Sequence, residues 1–154
     1  MNIKKAHTGD LNTIYNIVSE SIKGTYPKYY ADEIVDFFLM IHSKENIERD
    51  LSKYETYLLE YKGNYVGTGC IKGDNLARLY FLPDFQGKGG GSFMMDFLEG
   101  EAFQKYHKIY LSSSLPAMHF YEKRGYKIIN HEECKLKNDI MLVHDTMEKT
   151  LTKA

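Results

Sequence analysis

The 154-residue chain has no tryptophan, only three prolines and two cysteines, and its charges nearly cancel to a formal −1. Each scarcity excludes something. Cys70 and Cys134 are too few and too far apart for a disulfide framework, and neither lies at metal-ligand spacing, so both read as reduced thiols. His42, His107, His119 and His131 show no ligand spacing either, and no metal is expected. With 20 basic residues against 21 acidic ones there is no bulk field to hold nucleic acid. No apolar run is long enough to span a bilayer, and Met1-Asn2-Ile3-Lys4-Lys5 is not followed by the apolar stretch of an export signal. A cytoplasmic protein without nucleic-acid or membrane partners is the expectation. Repeats, low-complexity tracts and linkers are also missing, which leaves one domain over residues 1–154.

What is present is aromatic and periodic. Thirteen tyrosines and eight phenylalanines supply a core. Ile3 to Ala6 reads as a strand, and Asp10 caps a helix whose apolar positions Leu11, Ile14, Ile17 and Val18 follow the 3.6-residue period. Gly24 and Pro27 make Ser21 to Tyr30 a loop. A helix from Ala31 buries Ile34, Val35, Phe38 and Ile41, and Ser43 caps another that reaches Leu51. The period then shortens to two. Thr56 to Tyr61, Tyr65 to Lys72 and Asn75 to Leu82 are strands, joined by turns at Lys62-Gly63-Asn64 and Gly73-Asp74. An amphipathic helix over Gly91 to Tyr106, a strand over Lys108 to Ser112, a helix over Ala117 to Lys123 and strands over Gly125 to Asn130 and Asp139 to Lys149 complete a mixed α+β domain.

One segment carries chemistry. Leu79-Tyr80-Phe81-Leu82-Pro83-Asp84-Phe85-Gln86-Gly87-Lys88-Gly89-Gly90-Gly91-Ser92 passes from an apolar strand through a proline into a glycine-rich turn that opens a helix. Such a turn points several N–H groups at one anion with the positive end of a helix dipole behind them. A Walker A loop would need a lysine after the last glycine, followed by Ser or Thr. A dinucleotide fingerprint would need a glycine where Phe93 or Met94 stands. Neither pattern fits.

The run Gln86-x-x-Gly89-x-Gly91 resembles the Q/R-x-x-G-x-G/A signature of the GNAT N-acetyltransferase superfamily. Ala117-Met118-His119-Phe120-Tyr121-Glu122-Lys123-Arg124-Gly125-Tyr126 resembles that family's later A-x-x-F-Y-x-x-x-G-[FY] motif, and the order of elements is similar over nearly the whole chain. The resemblance implies a GNAT fold, with a central, mostly antiparallel sheet splayed at the cofactor site and flanked by helices. It also implies acetyl-coenzyme A as cosubstrate and transfer of its acetyl group to a primary amine of a small molecule or protein, by direct attack in a ternary complex. The pyrophosphate would meet the N–H groups of Gly87, Lys88, Gly89, Gly90, Gly91 and Ser92. The Lys88 side chain either adds charge or is solvated, and Gln86 either holds the turn or touches ligand. Pro83 ends ladder pairing, leaving backbone groups of Leu79, Tyr80 and Phe81 for the pantetheine amides. Ser114, where many relatives have Asn, either bonds the pantetheine or caps a helix.

The family motif makes Tyr121 the general acid for the departing thiolate, against the alternative of one more core aromatic. A base is not visible. Ala77 stands where many relatives carry Glu, and Glu60 on the neighbouring strand either acts through water or is a solvated carboxylate. Tyr26, Tyr29, Tyr30 and Glu33, beside Asp32 and Asp36, suggest an acidic, aromatic mouth for an amine cation, or else the polar face of a helix. Because the base is missing, a non-catalytic acyl-CoA-binding sensor is the second reading. The acceptor, and whether the chain forms a homodimer, are left open.

Overall fold

The computed structural model describes residues 1–136 and 139–152. Seven strands form one sheet: β1 (Asn2–Lys5), β2 (Glu55–Tyr61), β3 (Asn64–Lys72), β4 (Asn75–Phe81), β5 (Lys108–Ser113), β6 (Lys127–Lys135) and β7 (Met141–Thr150). Their order is β1-β2-β3-β4-β5-β7-β6, with every pair antiparallel except β4 and β5. The helices are α1 (Leu11–Thr25), α2 (Asp32–Ile41), α3 (Lys44–Lys53), α4 (Gly90–Ala102) and α5 (Met118–Lys123).

Alternation along the strands sorts the core into two layers. Leu58 packs with Ile14, Val18, Ile22 and Ile47 of α1 and α3, while its neighbours Tyr57 and Leu59 face Met94, Met95 and Leu98 of α4 on the other side. The two halves of the sheet meet only at the parallel pair. Asn75 is opposite Tyr110, whose N–H donates to the Asp74 carbonyl at 2.9 Å, and from there the strands part. The cause lies in β4. Its register against β3 slips between Thr68 and Cys70, and Arg78 takes a left-handed φ of 49°, a bulge that bends the strand away from β5. The expected splay is present.

Two helix boundaries differ from the sequence reading. The segment expected as a loop from Ser21 is helical to Thr25, followed by a single 3₁₀ turn over Tyr26–Lys28. Gly24 read as a breaker, but it is a packing position: a Cβ there would lie 2.6 Å from Pro83 Cγ. Only glycine lets α1 approach the end of β4 so closely. At the other site, α4 stops at Ala102 rather than Tyr106. The capped start of α3 is as expected, with Ser43 Oγ accepting from the Asn46 N–H at 3.2 Å.

Candidate active site

The glycine turn is built from both ends. Pro83–Phe85 makes one 3₁₀ turn, and Gln86 Nε2 then donates to the Phe81 carbonyl and to Thr25 Oγ1, each at 3.2 Å. Gln86 therefore ties the turn to β4 and α1. Gly87 and Gly89 both have left-handed φ, 77° and 83°, which a side chain would strain. Gly89 begins α4 without any side-chain cap, and no acidic residue sits in the first turn. The N–H groups of Gly90, Gly91 and Ser92 thus lack intrahelical acceptors and are available to an anion.

These residues border a cavity of about 510 Å³ between the parted strands. Gln86, Gly87, Gly89, Gly91 and Ser92 line one end, and Ser114, Phe120 and Tyr121 the other, with Leu79, Tyr80 and Phe81 alongside. Strand alternation turns the N–H and C=O of Phe81 away from β3 and toward this gap, since Leu82 N–H is already given to the Val66 carbonyl. The Phe81 carbonyl is not free, however. It accepts from Ser21 Oγ at 2.6 Å as well as from Gln86, so the edge offered here is narrower than the sequence suggests. Lys88 and Gly90 lie apart from this cavity: the Lys88 ammonium stands over the Phe85 ring, and Gly90 is buried against Leu59 and Phe81. A Cβ on Gly90 would lie 3.1 Å from Leu59 Cδ2, so the space beside it is already filled.

A second cavity, about 370 Å³, opens on the α2 side of the same strands. Tyr26, Leu79, Tyr80, Ser114, Ala117 and Tyr121 line both and form the partition. Tyr121 is only 6% exposed, and burial with Tyr26 nearby pushes its phenol well above the ordinary range, so it is protonated at neutral pH. The loop after it is pinned by hydrogen bonds from Arg124 N–H and Tyr126 N–H to the Tyr121 carbonyl, at 3.0 and 3.1 Å.

The acidic mouth does not assemble. Glu33, Asp32 and Asp36 line neither cavity, and Glu33 is exposed on α2. Tyr29 borders the cavity of the glycine turn, Tyr26 is buried in the partition, and the Tyr30 hydroxyl accepts from the Leu115 N–H at 2.8 Å. Glu60 sits on β2, opposite Asn2 and Tyr65, away from both cavities. Ala77 does face the second cavity, and no aspartate or glutamate lines either one among the described residues.

A family model described as an acetyltransferase (GNAT) domain matches residues 26–151. The chain belongs to the GNAT acetyltransferase family. Its fold is shared with solved GNAT structures of low sequence identity. A GCN5-related N-acetyltransferase from Rhodopseudomonas palustris superposes with a TM-score of 0.89 at 24% identity, over 97% of this chain and 95% of that one. PaiA N-acetyltransferase from Thermoplasma acidophilum, in complex with coenzyme A, gives 0.77 at 21% identity over 97% and 98%. YncA from Salmonella typhimurium, with its cofactor acetyl-CoA, gives 0.69 at 19% over 100% and 95%. No curated protein sequence matches the chain. Acetyl-CoA is the acyl donor of the GNAT family.

This GNAT chain also contains a polar chain that sequence reasoning missed. Asp50 on α3, 2% exposed, bonds Lys72 Nζ and Arg78 Nη2, both at 2.9 Å. Arg78 Nε donates to His42 Nδ1 at 3.1 Å, and His42 Nε2 meets the Tyr80 hydroxyl at 3.1 Å, which in turn receives the Tyr26 hydroxyl at 3.3 Å. Because a guanidinium only donates, His42 Nδ1 must be bare and the ring's single proton sits on Nε2, facing Tyr80. No linear pattern joins residues 26, 42, 50, 78 and 80; only the bulge at Arg78 and the end of α2 bring them together.

Burial, then the Arg78 and Lys72 charges, lower the His42 pKa to about 3. The unfolded chain would therefore bind a proton below pH 6.5 that the folded one refuses, so stability falls as pH drops from about 6.5 toward 3. Urea midpoints between pH 6.5 and 4.5 should reveal a loss on the order of 2 kcal/mol. His42→Gln offers an acceptor and a donor without titrating, and should flatten that limb; an unchanged slope would remove His42 as its source.

Proposed function

We propose that the chain acts as a single N-acetyltransferase domain, transferring the acetyl group of acetyl-CoA to a primary amine by direct attack in a ternary complex. The observation that carries this is the cavity between the end of β4 and the segment from Ser114 to Tyr121, with the uncapped start of α4 at one end and Tyr121 at the other. The N–H groups of Gly91 and Ser92 in the first turn, with the backbone of Gly87 and Gly89, receive the pyrophosphate. Phe81 N–H and Ser114 meet the pantetheine, and the thioester lies at the partition beside Tyr121. The amine enters from the second cavity and attacks the carbonyl carbon. A C–N bond forms, the C–S bond breaks, and Tyr121 donates its proton to the departing sulfur. The amine must shed its own proton. His42 cannot take it, since Nδ1 accepts from Arg78 and Nε2 is already protonated. His144, which also lines the second cavity and shares 2.8 Å between Nδ1 and Ser112 Oγ, is the imidazole placed to do so. A cosubstrate of this kind and two free thiols fit a cytoplasmic setting.

The lack of a carboxylate in either cavity keeps a second reading in view, an acyl-CoA sensor without turnover. Thiol release from acetyl-CoA, followed against amino acids, monoamines, polyamines, aminoglycosides and peptides, separates the two. Turnover of any of these supports the enzyme, and binding of acetyl-CoA without turnover on the whole panel supports the sensor. If coenzyme A does not bind, both are wrong. Gly89→Val, forced to a left-handed φ by the turn, should weaken acetyl-CoA binding about tenfold with the fold retained. Isothermal titration of the variant measures this, and an unchanged affinity would place the pyrophosphate elsewhere.

A further inference from the structure

Arg78 is 8% exposed and lines the second cavity, yet its Nη1 has no hydrogen-bond partner; among the described residues it is the one buried side-chain nitrogen or oxygen left in that state. A guanidinium nitrogen buried without an acceptor is costly, and an arginine offers its N–H groups in a fixed fork suited to a carboxylate. The surrounding charge points the same way. Two buried or half-buried cations, Arg78 and Lys72, share the single carboxylate of Asp50, and His42, which lines the cavity beside Arg78, is neutral. Among the described residues nothing acidic lines the cavity to offset the remaining positive charge. Much of its wall is apolar and aromatic, with Phe37, Phe38, Ile41, Leu111 and Leu142, and its other polar groups, Ser112, Ser114 and His144 among them, carry no negative charge. A polyamine or aminoglycoside would bring more cations to this site and find no anion.

We propose that the acceptor is an amine that also carries a carboxylate on an apolar or aromatic body, with the carboxylate held by Arg78 Nη1 and the body packed between α2 and the sheet. This rests on the acetyltransferase reading and narrows its acceptor class. The Asp50–Arg78–His42–Tyr80 chain then has a second use: Asp50 and His42 hold the guanidinium by Nη2 and Nε, which leaves Nη1 as the arm for substrate.

Matched pairs of acceptors test it by thiol release from acetyl-CoA: phenylalanine against phenethylamine, tyrosine against tyramine, leucine against isoamylamine. The carboxylate-bearing member of each pair should show the higher kcat/KM, by about 30-fold, as expected for a charge-assisted bond in a desolvated site. Arg78→Lys keeps the charge beside Asp50 but loses the fork, and should shrink the preference to within about threefold. Should that variant fail to fold, product inhibition of the wild type serves instead, with N-acetylphenylalanine expected to inhibit about 30-fold more tightly than N-acetylphenethylamine. Equal or better use of the decarboxylated amines overturns the assignment. So does turnover confined to polyamines or peptides, with the acetyltransferase reading left standing. Absence of turnover with every amine while acetyl-CoA still binds overturns both.

Discussion

Tyr121→Phe is expected to lower kcat by about 100-fold while acetyl-CoA affinity stays within about twofold, the usual loss when a positioned general acid is removed. The ring belongs to the core, with its centroid 5.4 Å from Phe120 and 5.7 Å from Tyr126, and phenylalanine preserves those contacts. The melting temperature should therefore barely move, which separates a catalytic hydroxyl from a packing one. The raised pKa sets the manner of donation. A phenol pushed up by burial stays protonated across the neutral range, and in the proposed reaction it would give its proton only as negative charge gathers on the sulfur. The variant should thus lose most with acyl donors whose thiol is a poor leaving group. A kcat for Tyr121→Phe within a factor of about three of wild type would leave Tyr121 as a core aromatic.

Glu99→Ala should cost about 3–5 kcal/mol of stability, the usual penalty for removing one partner of a buried ion pair. Glu99 on α4, 6% exposed, accepts from Arg124 Nη2 at 3.0 Å and Nε at 3.2 Å, from Lys149 Nζ at 2.8 Å and from the Tyr126 hydroxyl at 2.9 Å. Its loss strands Lys149 and a phenol whose pKa burial and Glu99 both raise, and leaves Arg124 only the exposed Asp96. A thermal melt should fall by roughly 10–15 °C for a chain of this size. Asp96 also binds Arg124, at 2.6 Å, but its side chain is 74% exposed, so Asp96→Ala should shift the melt by no more than a degree or two. Equal effects of the two substitutions would show that burial is not what makes Glu99 matter. The network explains the end of the Tyr121 motif: Arg124 and Tyr126 lock the turn that carries Tyr121 onto α4 and β7.

Much of the fold was legible because hydrophobic period and turn chemistry act locally. The alternation of Thr56 to Tyr61 and Tyr65 to Lys72 gave two paired strands, and Ser43 gave a helix start. Gly24 misled because glycine has two uses, breaking a helix and admitting a neighbour, and only the position of Pro83 tells which applies. Glu33 and Glu60 could each be read as a site carboxylate or as a solvated one, and the sequence did not decide between these. A carboxylate close in sequence to an aromatic run need not share a cavity with it, and α2 turns Glu33 to solvent.

By itself the sequence determined the family, the glycine-rich turn and the tyrosine motif, since each is a short run whose backbone conformation or spacing is local. The tertiary structure alone decided what lines the second cavity. The bulge at Arg78 parts β4 from β5, and the same bend brings a guanidinium from β4, an imidazole from the end of α2 and a carboxylate from α3 into one buried chain. Residues 42, 50 and 78 have no shared pattern in the sequence, because what joins them is the packing of three elements around one bent strand.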